Sequence, residues 1–249
     1  MVENRWSFGR QLYWGLIFFL GFVFLSLFFF DESERFKNLF ELSLGLLAVL
    51  VACYSKRGLK ILKYRPSFRR QTRWLQWLGL GCLLYMMLVG HVFSSIYALF
   101  FDRHFLDDTL VALGAATLEE GICRGFLLSG FLGLAVYYGF KRKLVWASFA
   151  AAVTFSGFHL INLLGTPVMV VSQQLFYSLA MGVFLAASYF ATNNLLVPLG
   201  IHFLLDWGPS YNYQPRPSSW LTLLAVFLPL LLVSSWYLVV LDRQVSDYF

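Results

Sequence analysis

Six ionisable side chains lie within long apolar stretches of this sequence, and they come from only three of those stretches. They are Glu119, Glu120, Arg124, His159, His202 and Asp206. An ionisable group in a membrane helix costs about 2.5–3.5 kcal/mol on insertion scales, so each one needs a reason to be there. Because carboxylates and imidazoles exchange protons with water, the cluster has the residue types of an acid–base centre.

The first motif places two adjacent carboxylates ahead of a cation. Glu120 and Arg124 are four residues apart, so they share a helix face and can pair, which would help the helix to insert. Glu119 is rotated by about 100° from Glu120 and has no local partner. A carboxylate left unpaired beside a paired one is a candidate general base.

The other two motifs each supply a histidine. Phe155 lies one turn before His159 and can pack against its ring, while His202 lies one turn before Asp206, which can orient or charge its imidazole. Taken singly, His159 could be a structural hydrogen-bonding residue, and His202–Asp206 could be a pair at a helix end. His91 and Glu41 are further ionisable residues, outside the three motifs.

The motifs of several familiar hydrolases are absent from the sequence. There is no HExxH, so the single-helix zinc protease arrangement is missing, and there is no GxSxG. The spacing Gly121–Gly125 is typical of close helix packing and carries no chemistry. Together, the six polar residues predict one shared site on the fourth, fifth and seventh apolar segments.

The three motifs resemble those of the CPBP family, the CAAX prenyl protease and bacteriocin-processing proteins, also called the Abi family. The matching positions are Glu119-Glu120-x-x-x-Arg124, Phe155-x-x-x-His159 and His202-x-x-x-Asp206. The order and spacing agree with the family, and the resemblance covers about residues 108–210, the motif-bearing core of the chain.

The resemblance implies an intramembrane glutamic endopeptidase that needs neither metal nor cofactor. Its substrate would be a membrane-associated peptide, prenylated or bacteriocin-like. By position, Glu119 would be the general base, His159 would bind the attacking water and His202 would stabilise the oxyanion. Glu120 and Arg124 would be the supporting pair.

One departure from the family concerns the last motif, which ends in Asp206 where many relatives have asparagine. A carboxylate cannot donate to an oxyanion unless it is protonated. We therefore expect Asp206 to hold His202 as a donor tautomer or as an imidazolium. A smaller departure is Cys123, where relatives often have an aromatic residue before the arginine.

The elements that position these residues must be membrane helices. The 249 residues are 59% hydrophobic and only 13% charged, whereas a soluble domain carries about 25% charged residues. This excludes a soluble, a disordered or a fibrous protein and predicts an all-α, polytopic membrane protein forming one domain over residues 1–249. About eight apolar segments are expected, at 11–30, 38–55, 74–100, 108–138, 144–164, 167–190, 193–208 and 219–241. The fourth is longer than one span needs, so it is expected to be either tilted or broken near Gly130 or Gly133.

The loops predict the orientation. Eight of the 19 basic residues lie between Lys56 and Arg73, as expected for a cytoplasmic loop that touches anionic lipid. With both termini in the cytoplasm of a cell-membrane protein, alternate loops carry about fourteen basic residues on the inner side and four on the outer side. The basic residues of the inner loops account for the net charge of +6, so the charge does not indicate nucleic-acid binding. The same orientation places the three motifs in the outer half of the membrane.

Two other functions remain open at this stage. The chain could be a non-catalytic protein of the same fold, such as a bacteriocin self-immunity factor or a scaffold for a cell-envelope enzyme. It could also be a metal-dependent hydrolase or transporter that uses Glu119, His159 and His202 as ligands. The three cysteines predict neither a disulfide framework nor a CxxC metal site, and the sequence does not indicate an oligomeric state.

Overall fold

The computed structural model describes residues 5–63, 69–210 and 216–246, and every regular element in these ranges is helical. Arg65 of the basic loop therefore lies outside the described residues. The α-helices are α1 Phe8–Phe28, α2 Glu34–Lys56, α3 Arg70–Val89, α4 Val92–Leu99, α5 Phe105–Glu120, α6 Leu128–Tyr137, α7 Lys143–Phe158, α8 Val168–Thr192, α9 Leu196–Asp206 and α10 Trp220–Ser246. A π-helical segment, Gly121–Leu127, joins α5 to α6, and a 3₁₀ segment, His159–Leu164, follows α7.

Each of the eight predicted apolar segments corresponds to a helix or a helix pair. Within the described ranges, six helices are long and apolar enough to cross a membrane, and a seventh span arises if α3 and α4 are taken together across a 59° bend. The seventh predicted segment, 193–208, corresponds to α9, which is short for a full span. These helices confirm the all-α fold class and approximately confirm the predicted number of segments.

The predicted break near Gly130 or Gly133 is wrong. Phe105–Tyr137 is one helical span, and its irregularity is the π-helical segment further towards the N-terminus. Gly130 instead allows helix α1 to pack closely, because a Cβ on this glycine would lie only 2.8 Å from the side chain of Leu12. The glycine serves helix packing there, with no break in the helix.

Small residues bring α2 against the helix that carries the first motif. A Cβ on Gly121 would lie 3.0 Å from the Cβ of Ala48, and one on Gly125 would lie 2.6 Å from the Cβ of Ala52. Backbones approach this closely in membranes only where side chains are small. The packing role predicted for the Gly121–Gly125 spacing is confirmed, and this contact fixes the height of the two glutamates relative to α2.

Polar contacts between helix ends show which ends are neighbours. At the end that bears the basic loop, the N–H of Trp6 donates to the carbonyl of Ser55 at 2.9 Å. At the opposite end, the Asp108 carboxylate accepts from the Ser210 hydroxyl at 2.6 Å, and the Trp207 indole donates to the Thr109 hydroxyl at 3.0 Å. The orientation of these two ends across a membrane remains the prediction made from the loop charges.

Candidate active site

The polar residues of the three motifs are held at irregular ends of helices. Glu119 and Glu120 form the last turn of α5, and Arg124 lies in the π-helical segment. His159 begins the 3₁₀ segment after α7, and His202 lies inside α9. Short π-helical segments are frequent at functional sites, because the widened turn re-aims side chains that a regular helix would place elsewhere.

Glu120 is the buried centre of a charge network. Its side chain is fully buried, and its Oε1 atom lies 2.8 Å from Nη1 of Arg124, which confirms the predicted pair. The same oxygen lies 2.8 Å from Nδ1 of His202, a contact across 82 residues of sequence. One carboxylate oxygen therefore joins the first motif to the third.

Arg124 has further partners that offset its burial. Its guanidinium donates from Nη2 to the carbonyl of Gly182 at 3.3 Å and lies over the ring of Phe155, 4.9 Å from the centroid. An ion pair, a hydrogen bond and an aromatic ring under the guanidinium each offset part of the cost of burying its charge. Arg124 thus links the first motif to α8 and to the helix that carries the second motif.

His202 faces carboxylates with both ring nitrogens. Its Nε2 atom lies 3.2 Å from the Asp206 carboxylate, which confirms the predicted contact, and 3.5 Å from Glu119. A neutral imidazole has one N–H and can donate on one side only. With Glu120 on the other nitrogen, three carboxyl groups face Arg124 and a ring that is cationic when both of its nitrogens carry a proton. The cluster therefore carries a negative charge or holds one additional proton, and either state suits a centre that moves protons.

Glu119 and His159 line the same cavity of about 180 Å³. Glu119 keeps a third of its side chain exposed, in contrast to its buried neighbour Glu120. A water molecule takes about 30 Å³ in the liquid, so the cavity has room for several. His202 is not among the lining residues, although its Nε2 atom lies 3.5 Å from the Glu119 carboxylate.

The orientation of His159 is fixed by its own helix. Its Nδ1 atom lies 3.0 Å from the carbonyl of Phe155. Because a carbonyl only accepts, the proton of a neutral ring is assigned to Nδ1, which leaves Nε2 as an acceptor. The Phe155 ring packs edge-on against His159, with centroids 5.0 Å apart, and also against His202 at 6.3 Å, so it separates the two imidazoles. The predicted contact between Phe155 and His159 is confirmed.

The cavity also contains polar residues that the motifs did not include. Glu41 of α2, which the sequence marked only as an isolated ionisable residue, lines it together with Asn162 and Gln174. The amide of Asn162 donates to the Gln174 side chain at 2.8 Å. Asn162 lies three residues after His159, and this helical spacing is the feature of the sequence that could have placed it in the site. His91 is exposed at the bend between α3 and α4 and takes no part in the site.

Carboxylates and histidines are also common metal ligands, so their arrangement bears on the metal-dependent alternative. In the part of the chain that the structure describes, no group of three histidine, cysteine, aspartate or glutamate side chains is placed to hold a metal ion. The contacts of His202 are hydrogen bonds and ion pairs to carboxylates. Independence from metal remains a prediction for experiment.

Comparison with known proteins gives one match. Residues 101–208 match the family model Rce1-like, described as type II CAAX prenyl endopeptidase Rce1-like. The matched segment contains all three motifs and confirms the predicted resemblance to the CPBP family. It supports a membrane endopeptidase of the CAAX protease type. No curated protein and no solved structure matches the chain significantly.

Proposed function

We propose that this chain, whose motif-bearing segment matches a family of prenyl endopeptidases, hydrolyses peptide bonds within the membrane by a glutamate-activated water. The observation that carries the proposal is the cavity lined by both Glu119 and His159, with the buried Glu120–Arg124–His202 network directly behind it. A base and a second acceptor facing one space large enough for water are the minimum requirement of such chemistry.

In the proposed reaction, Glu119 and Nε2 of His159 each accept a hydrogen bond from one water. This leaves a lone pair of the water oxygen directed at the substrate carbonyl. The oxygen bonds to the carbonyl carbon while Glu119 takes a proton, giving a tetrahedral intermediate with a negatively charged oxygen. Glu119 then returns the proton to the amide nitrogen, the C–N bond breaks, and a carboxylic acid and an amine leave.

The charge on the intermediate needs a donor, and His202 is the nearest candidate. Glu120 accepts from Nδ1 of the ring, so in the imidazolium form the second N–H, on Nε2, points towards Glu119 and Asp206. A carbonyl oxygen bound beside Glu119 would share this N–H. Asp206, at 3.2 Å, sets the ring orientation and favours its charged form, in place of a direct contact with the oxyanion.

The substrate that best fits this site is a peptide segment tethered to the membrane. The matching family is described as a prenyl endopeptidase. The cavity is lined by Phe19, Phe22 and Phe158 as well as by its polar residues, so it could contact both a lipid chain and a peptide bond. The loop charges predict that the cavity lies in the outer half of the bilayer. We therefore favour a substrate that reaches the site from that half, and prenylated and bacteriocin-like peptides are the two classes to test.

The decisive experiment incubates the purified, detergent-solubilised protein with prenylated, acylated and unmodified peptides and detects new termini by mass spectrometry. We expect cleavage by the wild type and none by Glu119→Gln. A folded wild type that cleaves none of the panel, yet still confers bacteriocin resistance when Glu119 is replaced, would favour the non-catalytic immunity or scaffold function instead.

A further inference from the structure

A second polar cavity lies at the other end of the helix bundle, beside the basic loop. It has a volume of about 700 Å³ and is formed by the C-terminal ends of α2 and α8 and by the chain that follows α2. Five cationic side chains and no acidic side chain contribute to its lining: Arg5, Lys56, Arg57, Lys60 and Lys63. None of these residues belongs to the three motifs.

The walls of this cavity are held in place by specific hydrogen bonds. Asn193, which ends α8 in the left-handed conformation, accepts at Oδ1 from the N–H groups of Ile61 and Leu62, both at 2.9 Å. Its amide donates to the carbonyl of Leu62, also at 2.9 Å. The basic segment is therefore fixed to the end of α8, and its cations surround a built space.

Lys56 is buried and Arg5 is partly buried, and both have donors to spare. Lys56 is 8% exposed, and its Nζ atom donates one of its three hydrogens to the Tyr189 hydroxyl at 2.8 Å. Arg5 donates to the Ser129 hydroxyl at 2.7 Å and to the carbonyl of Ile61, while its buried Nε has no partner. Among the described residues, no carboxylate forms an ion pair with either cation.

A purely structural role leaves this charge uncompensated. Leaving Lys63 aside, four cations line the cavity. Each helix C-terminus contributes roughly half a negative charge, so the ends of α2 and α8 together balance about one of these four. Burying an ion without a partner is costly, and the buried donors need an acceptor that the described chain does not supply. An anion with several acceptor oxygens would supply both the acceptors and the opposite charge.

We propose that this cavity binds a phosphate group, carried either by a lipid headgroup or by a soluble phosphate. Lysine and arginine are the usual phosphate-binding side chains, and the free oxygens of a phosphate group, two in a lipid diester and more in inorganic phosphate, can accept from the unused donors of Lys56 and Arg5. Arg57 and Lys60 are exposed at its rim and would close over the same group. The site is separate from the proposed peptidase centre and does not depend on it.

The test uses the full-length protein in detergent and measures the binding of three probes: inorganic phosphate by calorimetry, and phosphatidylglycerol and phosphatidylcholine by native mass spectrometry. The variant Arg57→Gln/Lys60→Gln removes two rim cations. The matched control, Arg70→Gln/Arg73→Gln, removes two exposed cations of the same basic loop that do not line the cavity. Circular dichroism verifies that both variants remain folded.

We expect one tightly bound phosphate-bearing probe, weakened at least about tenfold in the rim variant and by less than about threefold in the control, since charge-assisted hydrogen bonds contribute about tenfold or more each. Saturable binding of inorganic phosphate would identify a soluble source, and selective binding of phosphatidylglycerol would identify a lipid headgroup. Binding of none of the three probes, equal weakening in both variants, or lipid binding that the rim variant leaves unchanged would overturn the proposal.

Discussion

Replacing Glu120 by glutamine is the sharpest test of the buried network. The glutamine keeps the size of the side chain but removes its charge, so Arg124, which is 2% exposed, would become an unpaired buried cation. The Nδ1 atom of His202 would lose its carboxylate partner at the same time. Breaking such a buried pair costs about 3–5 kcal/mol, which corresponds to a decrease of about two to four orders of magnitude in the folding equilibrium constant.

Two further variants test whether the loss of stability comes from the broken Glu120–Arg124 pair or from any change at the site. Glu119→Gln makes the same change one residue earlier, at a carboxylate that is one-third exposed and has one contact at 3.5 Å, so we expect a loss of less than about 1 kcal/mol. Glu120→Gln/Arg124→Met removes both charges of the pair. It should recover most of the lost stability, because an apolar replacement of a buried ion pair is often neutral.

The measurement is reversible unfolding of the purified protein in mixed micelles of increasing denaturing detergent, followed by circular dichroism. The reasoning is refuted if Glu120→Gln unfolds within about 1 kcal/mol of the wild type, or if the double variant is no more stable than Glu120→Gln. Either result would mean that Arg124 finds its charge partner elsewhere.

Four further predictions follow from the site and its packing. Glu119→Gln should abolish peptide cleavage in a product assay while the circular dichroism spectrum stays that of the wild type; cleavage at the wild-type rate would exclude the general-base role. His202→Ala should lower kcat by about 10²–10³ with little change in substrate binding, and Asp206→Asn should retain most activity, because an amide can replace the carboxylate as a partner of the ring. Chelators should leave cleavage intact; activity that disappears with a chelator and returns with zinc would favour the metallohydrolase. Gly125→Ala should destabilise the protein by about 1–3 kcal/mol in the unfolding assay, since its Cβ would lie 2.6 Å from that of Ala52, and adding Ala52→Gly should restore stability.

Local helix geometry explains what could be predicted from the sequence. Residues four apart on a helix meet on one face, so the Glu120–Arg124 and His202–Asp206 contacts follow from spacing alone. The apolar segments follow in the same way from length and composition, because a helix must satisfy its own backbone inside a bilayer. The break predicted near Gly130 failed because a glycine in a membrane helix can mark either a break or a packing contact.

Contacts between different helices could not be predicted from the sequence and were known only from the tertiary structure. The sequence gives no register between α5 and α9, so the 2.8 Å contact from Glu120 to His202 could not be derived from either motif. The same holds for Glu41, whose place in the cavity depends on how deeply α2 packs against the glycines that follow α5. The motif residues are specified by the chain and its periodicity. Which of them share the cavity, Glu119 and His159, and which form the network beside it depends on how closely the small residues let the helices approach.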